Sequence, residues 1–378
     1  MTFPIRRLMG AALSLALLAV PMTGFADQAV IDRLNQLEIK WKNGPVDAAG
    51  FADLQSISIP HTMRESLTDA DLVLLAKLPR LGHLALDGVK GLTPEGLRAL
   101  EAVPNLWFVS WKIADLTDAH VQALGGIQTL KMLELSGNKA LTDAIMPTVA
   151  ALPVLEGLQL DGTSVTDAGV AKLAGHPTLQ RLSLISLGVT DAIFAPLSSA
   201  PKLKSLILNR SAVTGKGAAQ LAALPGFDEI GLHHAALTDE GVLELAQIPT
   251  LRNAFLWENR ISDAGLAALA ALPGLRTLYL NGTDVTDAGM ADLGRSTSIE
   301  TLWLSKTAVG DEGVAALSNL PLSSIMLEET RLGDDGLASL AAIPTLRNIT
   351  SRKSNVTEAG VERAMAVEGR NDKLSIRN

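Results

Sequence analysis

The chain has 378 residues, 47% of them hydrophobic and 19% charged, a composition that excludes an intrinsically disordered protein. The formal charge of −8 argues against nucleic acid or an anionic membrane as a partner. The absence of cysteine excludes disulfides, thiol catalysis and cysteine-ligated zinc. With only five Trp, one Tyr and seven Phe, the core must be aliphatic, so the position of each aromatic residue is informative.

Residues 1–26 have the pattern of a secretory signal peptide. Arg6 and Arg7 precede an apolar run over residues 10–20, which is too short to span a bilayer. The small residues that follow predict cleavage after Ala26. We therefore expect the mature protein in the periplasm or outside the cell, with no insertion into a membrane once the signal has been removed.

Residues 27–53 are predicted to form an N-terminal helical cap. Apolar residues recur at helical spacing between Asp27 and Glu38, which predicts an amphipathic helix with one buried face. The inward residues are Val30, Ile31, Leu34 and Leu37. A cap of this kind is needed where a repeat array begins, because the first repeat would otherwise expose its core.

One unit recurs thirteen times between residues 54 and 360. Its signature is L-x-x-L-x-L, and the spacing is a constant 24 residues from Leu155 to Ile299. Alternating apolar residues predict a short strand, and the following V-T-D-A-G string with an i, i+3 apolar pair predicts a helix of about two turns. The signature begins at Leu54, Leu81, Leu106, Leu130, Leu155, Leu179, Leu203, Phe227, Leu251, Leu275, Ile299, Leu322 and Leu346.

A single unit cannot bury its apolar face, so the units must stack. Strands placed side by side at about 4.8 Å form a parallel sheet, and the helices, which need more room, form the outer layer. We predict an α/β solenoid over residues 54–360, a curved horseshoe of about 13 repeats of about 24 residues with the parallel sheet inside and short helices outside. Residues 361–378 are the predicted C-terminal cap, in which residues 374–376 add a last strand.

The array resembles the leucine-rich repeat family over residues 54–360. Within that family, the V-T-D-A-G-L-x-x-L string is similar to the cysteine-containing subclass known from F-box substrate adaptors and GALA-type bacterial effectors. Where that subclass has Cys after the strand, this chain has short polar residues that can bond the backbone of the turn. These are Asn138, Thr163, Ser211, Asn259, Thr283, Thr307 and Thr330. Residues 27–53 are too few for an F-box domain, so the resemblance does not imply a ubiquitin-ligase function.

Two further columns of the repeat predict local structure. Glycines in the first helical turn, such as Gly265 and Gly289, predict that neighbouring repeats approach too closely for a Cβ atom. Aspartates at the helix start, such as Asp263 and Asp287, predict capping of their own helices. The stacked carboxylates could instead bind calcium, but no oxygen-rich loop with the ligand spacing of a calcium site is present. We therefore expect no metal and no other cofactor.

Strand alternation predicts a group of large side chains on the concave face. One column reads Phe255, Tyr279, Trp303 and Met326, and the adjacent column reads His233, Trp257, Asn281, Ser305 and Glu328. A contiguous apolar surface of this kind indicates a binding site, and Trp and Tyr are enriched among interface anchors. The predicted ligand-binding residues are Phe255, Trp257, Tyr279, Asn281, Trp303, Met326, His233 and Glu328. The predicted polar rim is Arg252, Glu258, Arg260, Arg276, Lys306 and Glu329.

The repeat family and this surface together favour a non-catalytic scaffold that binds another protein or a peptide, such as a component of the cell envelope or of a host surface. One alternative is that the aromatic residues only stiffen the sheet through cross-strand packing. A second is a glycan or cell-wall ligand, with sugar hydroxyls reached by Asn253, Asn259, Asn281 and Arg252.

Catalysis and a second aromatic site are not favoured by the sequence. His233 and His234 are adjacent on a strand and should point in different directions, which is poor metal geometry, and no nucleophile, base and oxyanion donor converge. Trp107, Phe108 and Trp111 form a second aromatic group near the amino end. We interpret that group as structural, with Trp111 in the core and Phe108 facing the concavity.

Overall fold

The computed structural model describes residues 27–378, so the predicted signal peptide, residues 1–26, lies outside the described residues. The described chain forms a 14-stranded parallel sheet whose strands lie side by side in chain order. A helical segment or turn connects each strand to the next and packs on one face of the sheet. Within residues 27–378, no helix has the length and hydrophobicity needed to cross a bilayer.

The strands of the large sheet are three residues long and follow the predicted repeat. They are β3 Ser56–Ser58, β4 His83–Ala85, β5 Phe108–Ser110, β6 Met132–Glu134, β7 Gly157–Gln159, β8 Arg181–Ser183, β9 Ser205–Ile207, β10 Glu229–Gly231, β11 Asn253–Phe255, β12 Thr277–Tyr279, β13 Thr301–Trp303, β14 Ser324–Met326, β15 Asn348–Thr350 and β16 Ser375–Arg377. A separate antiparallel hairpin consists of β1 Lys40–Trp41 and β2 Gly44–Pro45.

The helical layer mixes short α-helices with 3₁₀ turns. The α-helices are α1 Gln28–Gln36, α2 Ala48–Asp53, α3 Asp69–Leu75, α4 Pro94–Leu97, α5 Asp118–Ala123, α6 Met146–Ala150, α7 Asp167–Val170, α8 Phe194–Leu197, α9 Asp239–Leu245, α10 Asp263–Ala270, α11 Asp287–Leu293, α12 Asp311–Ala315, α13 Asp334–Ala341 and α14 Glu358–Met365. The 3₁₀ turns are His61–Met63, Arg98–Ala102, Leu124–Gly126, Asp143–Ile145, Ala171–Leu173, Asp191–Ile193 and Ala218–Ala223.

The core consists of columns of aliphatic side chains that run along the solenoid. The strand register places Leu278 of β12 opposite Leu302 of β13, and both side chains are fully buried. Met290 and Leu293 of α11 are also fully buried, as the i, i+3 pattern predicts. Because each repeat contributes the same positions, its apolar face is covered by the repeats on either side.

The N-terminal cap differs in detail from the prediction. The first helix ends at Gln36 and not at Glu38, and the cap also contains the β1–β2 hairpin. The guanidinium of Arg33 donates to both carboxylate oxygens of Asp71, at 2.6 and 3.0 Å, and so joins the cap to the first repeat. Although burial opposes ionisation of Asp71, hydrogen bonds from Arg33 and Thr68 hold the pKa of this carboxyl below its ordinary value.

The C-terminal end follows the prediction in its strand but not in its boundary. Strand β16 pairs in parallel with β15, with Ile376 opposite Ile349, so the predicted last strand is present. Helix α14 runs through residues 360 and 361, however, and the boundary predicted between them falls inside this helix. The helix completes the thirteenth repeat because its Gly360 and Ala364 are buried against the preceding repeat.

The aspartate column joins successive repeats, which corrects the prediction that each Asp caps its own helix. The carboxylate of Asp263 accepts from the backbone N–H and the hydroxyl of Thr286 in the next repeat, at 2.8 and 2.6 Å. The cap of α11 is the hydroxyl of Thr286, which accepts from the N–H of Ala288. We call this carboxylate-to-capping-residue contact an Asp rung.

The Asp rung also explains the glycine column. A Cβ on Gly289 would lie 2.4 Å from the Asp263 carboxylate, so the predicted close approach is confirmed and the contacting group is the Asp of the preceding repeat. The rung recurs between Asp69 and Thr93, Asp118 and Thr142, Asp143 and Thr166, Asp167 and Thr190, Asp191 and Thr214, Asp239 and Ser262, Asp263 and Thr286, Asp287 and Gly310, Asp311 and Gly333, and Asp334 and Thr357.

The polar residues that follow the strands bond the turn backbone, as expected. The hydroxyl of Thr283 donates to the carbonyl of Leu280 at 2.6 Å, and the amide of Asn259 donates to the carbonyls of Leu232 and Leu256. Asn259 is only 6% exposed. The suggestion that Asn259 reaches sugar hydroxyls is therefore wrong, because its side chain is used inside the solenoid.

Candidate functional site

The sheet has an open face on the side away from the helices. It is formed by the first and third residues of each strand and by the residue two positions after the strand. In β12 the middle residue, Leu278, is buried, while Thr277 and Tyr279 are half-buried. This pattern recurs in β11, β13 and β14, so the alternation on which the predicted site depends is present in the structure.

The strand register brings the predicted aromatic column together. Phe255, Tyr279, Trp303 and Met326 occupy equivalent positions on four neighbouring strands. The rings of Tyr279 and Trp303 are parallel and stacked, with centroids 3.7 Å apart. Phe255 lies on the other side of Tyr279, with centroids 5.0 Å apart and ring planes tilted by 52°.

The second column adds another stack beside the first. The ring of Trp257 is stacked on that of His233, with centroids 4.4 Å apart and planes inclined by 12°. Trp257 also lies 5.8 Å from the ring of Tyr279, so the two stacks form one continuous group. We call this group the aromatic ladder; it consists of His233, Phe255, Trp257, Tyr279 and Trp303.

All eight predicted site residues are half-buried on the open face, and the helices do not cover them. Within residues 27–378, the hydroxyl of Tyr279 and the indole N–H groups of Trp257 and Trp303 make no hydrogen bond, whereas the buried Trp111 donates to the carbonyl of Val89. Buried aromatic N–H and O–H groups usually find a partner. The ladder therefore presents three donors that remain available to a ligand.

Burial shifts the pKa values of two ladder residues towards their neutral forms. Desolvation, together with the nearby charges of His234 and Arg210, lowers the pKa of His233, and Glu258 only partly opposes this. The Nδ1 atom of His233 is buried and has no partner within residues 27–378. Burial also raises the pKa of Tyr279. Both side chains are therefore uncharged at neutral pH, and the ladder is an uncharged surface.

The remaining predicted residues surround the ladder with polar groups. The side-chain oxygen of Asn281 accepts from the N–H of Ser305 at 2.8 Å, and the N–H of Glu328 donates to the hydroxyl of Ser305 at 3.0 Å. In the predicted rim, Arg276 pairs with Glu300 at 2.8 Å and Glu329 pairs with Lys353 at 3.1 Å. Two rim charges are thus already neutralised within the protein.

A depression on the open face, beside the ladder, was not predicted. It encloses about 350 Å³ between Met132 and Glu229, with Arg181 and Ile207 on its walls. Its floor is formed at Gly157, which lacks a side chain. The sequence carries a signal for it, since Gly157 interrupts a column of larger side chains on the neighbouring strands.

The amino-terminal aromatic group is only partly structural. Trp111 is 1% exposed, which confirms its prediction as a core residue, and Phe108 lies on the open face, half-buried and stacked on His83. Trp107, however, is 43% exposed, so the structural interpretation is wrong for this residue. It immediately precedes β5 and projects towards the neighbouring β4.

The described residues hold no arrangement typical of a metal site. Within residues 27–378, no group of three or more His, Cys, Asp or Glu side chains could coordinate a metal ion. The rings of His233 and His234 are 5.5 Å apart and inclined by 62°. Both residues follow β10, which ends at Gly231, so they do not lie on the strand as predicted.

Comparisons with known proteins identify the fold. A family model described as Leucine Rich repeat matches residues 295–318. The structure is similar to that of the internalin InlF from Listeria monocytogenes, with a TM-score of 0.56 and 20% identity over 82% of this chain and 89% of the internalin. It is also similar to Rad7 in the yeast Rad7–Elc1 complex, with a TM-score of 0.56 and 17% identity over 92% and 86% of the two chains. No curated protein matches the sequence.

The fold is a leucine-rich repeat solenoid. The matched repeat, residues 295–318, includes β13 and therefore carries Trp303 of the aromatic ladder. At 17–20% identity, the structural neighbours support this architecture but not a particular ligand.

Proposed function

We propose that this protein is an exported, non-catalytic scaffold that binds another protein or a peptide on its aromatic ladder. The observation that carries this proposal is the continuous group of half-buried rings with three unbonded donors on the open face. Trp and Tyr are the residues that most often anchor protein interfaces, because they combine a large apolar area with a hydrogen-bonding group.

The ring orientation favours a peptide over a glycan at the ladder. A sugar ring stacks on the flat face of an aromatic side chain, but Tyr279 and Trp303 cover one another's faces at 3.7 Å. One face of Trp257 is likewise covered by His233. The facing surfaces within each stacked pair are closed to a sugar, while the ring edges, the hydroxyl and the indole N–H groups can contact the carbonyls and apolar side chains of a peptide.

Repeat proteins commonly bind partners on extended surfaces of this kind, which supports the proposal by analogy. Rad7, which shares the fold, is in a complex with Elc1. The signal-peptide pattern of residues 1–26 supports a location in the periplasm or outside the cell. Mass spectrometry of protein recovered from cell fractions tests this part: we expect a mature chain that begins at Asp27, and an uncleaved chain retained in the cytoplasm would contradict it.

Peptide binding can be tested without knowing the natural partner. Peptides selected from a random library on immobilised residues 27–378 are measured by fluorescence anisotropy against wild-type protein and a Trp257→Ala, Tyr279→Ala, Trp303→Ala triple variant. We expect the triple variant to lose at least 30-fold in affinity, because it removes the anchors of the proposed interface.

The matched control is Trp107→Ala, which removes an exposed Trp outside the ladder and should leave the affinity within twofold of wild type. Circular dichroism checks that the triple variant keeps its fold. Selected peptides that bind the triple variant as tightly as wild type would reject the ladder as the site. Cell-wall fragments that bind wild type but not the triple variant would instead favour the glycan alternative.

A further inference from the structure

The amino-terminal end of the sheet carries a second exposed tryptophan in a different environment. Trp107 is 43% exposed and leans over Gly82 at the start of the neighbouring repeat. A Cβ on Gly82 would lie 2.6 Å from the indole Nε1 and 2.7 Å from Cδ1, so the absence of a side chain at Gly82 makes room for this edge of the indole. The pyrrole edge of the indole therefore lies against Gly82, while a large part of the side chain remains exposed.

The aromatic neighbours of Trp107 do not stack on it. His83 and Phe108 are parallel to each other at 4.1 Å, but both are inclined by 65° to the indole of Trp107, at 6.3 and 5.7 Å. In the aromatic ladder the corresponding rings cover one another's faces. Trp107 therefore has no stacked partner among the described residues, and a flat ligand can lie against it.

The cleft beside Trp107 is lined by polar side chains, among them two neutral amides, one paired cation, and Ser56 hydrogen-bonded to His83. It encloses about 310 Å³ and is also bounded by Gln55, Arg80 and Asn105. One guanidinium nitrogen of Arg80 donates to Asp53 at 2.6 Å, which neutralises the charge and leaves other N–H groups available. Within residues 27–378, the side-chain amide of Gln55 makes no hydrogen bond, and Asn105 uses only its amide nitrogen, towards the carbonyl of Pro79.

We propose that this cleft is a carbohydrate-binding site in which a pyranose ring stacks on Trp107 and its hydroxyls bond to Gln55, Arg80 and Asn105. A sugar presents an apolar C–H face to the indole. Its hydroxyls both donate and accept hydrogen bonds, and a side-chain amide can bond to them in both ways, because its oxygen accepts and its nitrogen donates. Because Arg80 is the only permanent charge lining the cleft and is paired with Asp53, the expected ligand is a neutral glycan. This site is separate from the aromatic ladder and does not depend on the function proposed for it.

The test uses chitohexaose, maltohexaose and soluble peptidoglycan fragments as probes of the mature chain. Isothermal titration calorimetry should detect millimolar or tighter binding of at least one of them. We expect Trp107→Ala to weaken that binding at least tenfold, and Gln55→Ala or Asn105→Ala to weaken it three- to tenfold while the melting temperature stays within 2 °C of wild type. These losses correspond to the removal of about one stacking or hydrogen-bonding partner.

The control is Trp303→Ala, which removes a tryptophan of the aromatic ladder and should bind the same oligosaccharide as wild type does. Three results would overturn the proposal. The first is that wild type binds none of the probes at 10 mM. The second is that Trp107→Ala binds the sugar with unchanged affinity and only has a lower melting temperature. The third is that Trp107→Ala keeps its sugar binding but no longer binds a peptide selected on the wild type. Loss of peptide binding in the triple variant of the ladder does not affect the test of sugar binding at Trp107, so the two proposals can fail separately.

Discussion

The two halves of the solenoid differ in their helical layer. In the amino-terminal half, between Asp118 and Ala223, each repeat contains a 3₁₀ turn, and the segment Ala218–Ala223 is entirely 3₁₀. In the carboxy-terminal half, the connections from Asp239 to Ala341 are α-helices of five to eight residues with no 3₁₀ turn. The strands, in contrast, have the same length and register throughout.

Proline and glycine account for this difference in three repeats of the first half. Pro147 and Pro196 lie inside helical segments of the first half, where each removes a backbone donor. Gly215 and Gly217 adopt positive φ angles of 93° and 85°, which α-helical residues do not. Between Asp239 and Ala315 the only prolines are Pro249 and Pro273, and both follow a helix. The helices of these repeats are therefore not interrupted by proline.

The open face changes at the same place as the helical layer. The depression lies on β6–β10, and the aromatic ladder occupies β11–β13 together with His233, which follows β10. At the junction the Asp rung is missing, because Gly215 stands where other repeats have Asp. Gly241 packs there directly on the backbone of Thr214. The ladder is thus carried by an uninterrupted run of α-helical repeats, and that run begins at a joint where close backbone packing of Gly241 on Thr214 replaces the Asp rung.

The largest expected effect is at this junction. A Cβ on Gly241 would lie 1.9 Å from the carbonyl oxygen of Thr214, and a backbone atom cannot move aside as a side chain can. We expect Gly241→Ala to lower the free energy of unfolding by about 3 kcal/mol, as overpacking a buried site does. Urea denaturation followed by circular dichroism measures the change.

Gly188→Ala is the matched control for Gly241→Ala. No atom among the described residues lies within 4 Å of a Cβ at Gly188, and its φ is not positive, so the substitution should change stability by less than about 0.5 kcal/mol. Equal denaturation midpoints for the two variants would show that the junction tolerates a side chain and that the two halves are not joined by this contact.

An intermediate effect is expected for the Asp rung, which both halves share. Asp143→Ala and Asp263→Ala each remove two hydrogen bonds and leave the N–H of Thr166 or Thr286 without its carboxylate acceptor. We expect each variant to lose about 2 kcal/mol in urea denaturation.

The Asp rung has the same geometry in both halves, and the two losses should agree within about 0.5 kcal/mol. A loss confined to Asp263→Ala would mean that the rung stabilises α-helical repeats only. Asp263→Asn is the milder control, because an amide oxygen can still accept one of the two hydrogen bonds.

The sequence predicted the repeat, the strand register and the side chains on the open face, because these follow from a fixed period of 24 residues and from strand alternation. It also predicted the close approach at Gly289, since only glycine recurs there. The partner of that glycine was not predictable, because Asp263 lies one repeat away and a capping Asp has the same local sequence as one that bonds to the next repeat.

The parts of the open face that were missed depend on side-chain direction. Trp107 occupies a position just before the strand, where alternation does not say whether the ring lies over the sheet or beside it. Its exposure follows from Gly82 in the neighbouring repeat, which leaves room for the indole edge. The stacked orientation of Tyr279 and Trp303, which favours a peptide over a sugar, likewise depends on rotamers that a sequence pattern does not specify.

A smaller effect is expected from the ladder itself. Tyr279→Ala removes a stacked ring from a surface that is already half exposed, so we expect a loss of about 1 kcal/mol in urea denaturation. That value is below the loss expected for the Asp rung, because no buried donor is left without a partner. A loss of 3 kcal/mol or more would mean that the ladder is mainly a stabilising element, which would contradict its role as a binding surface.

The last prediction concerns a buried histidine in the amino-terminal half. His176 is 3% exposed and stands directly before a helix-ending proline, where other repeats have Leu152, Leu224 or Leu272. Its Nδ1 atom accepts from the N–H of Leu179 at 3.2 Å, and its Nε2 atom has no partner within residues 27–378. Restoring the usual residue with His176→Leu should raise the free energy of unfolding by about 1 kcal/mol at pH 7.5.

The same substitution should change the pH dependence of stability. Burial lowers the pKa of His176 in the folded protein, so the unfolded chain, with an ordinary pKa of about 6.5, takes up the proton first as the pH falls. Above about pH 6.5 the titration of His176 therefore does not reduce the free energy of unfolding. As the pH falls below about 6.5, the free energy of unfolding decreases until the pH reaches the lowered pKa of the folded state. His83 and His233 also have lowered pKa values, so the wild type and His176→Leu must be compared at pH 7.5 and pH 5.5. If His176→Leu stabilises the protein more at pH 5.5 than at pH 7.5, the pH dependence is assigned to His176. Equal stabilisation at the two pH values would contradict this assignment.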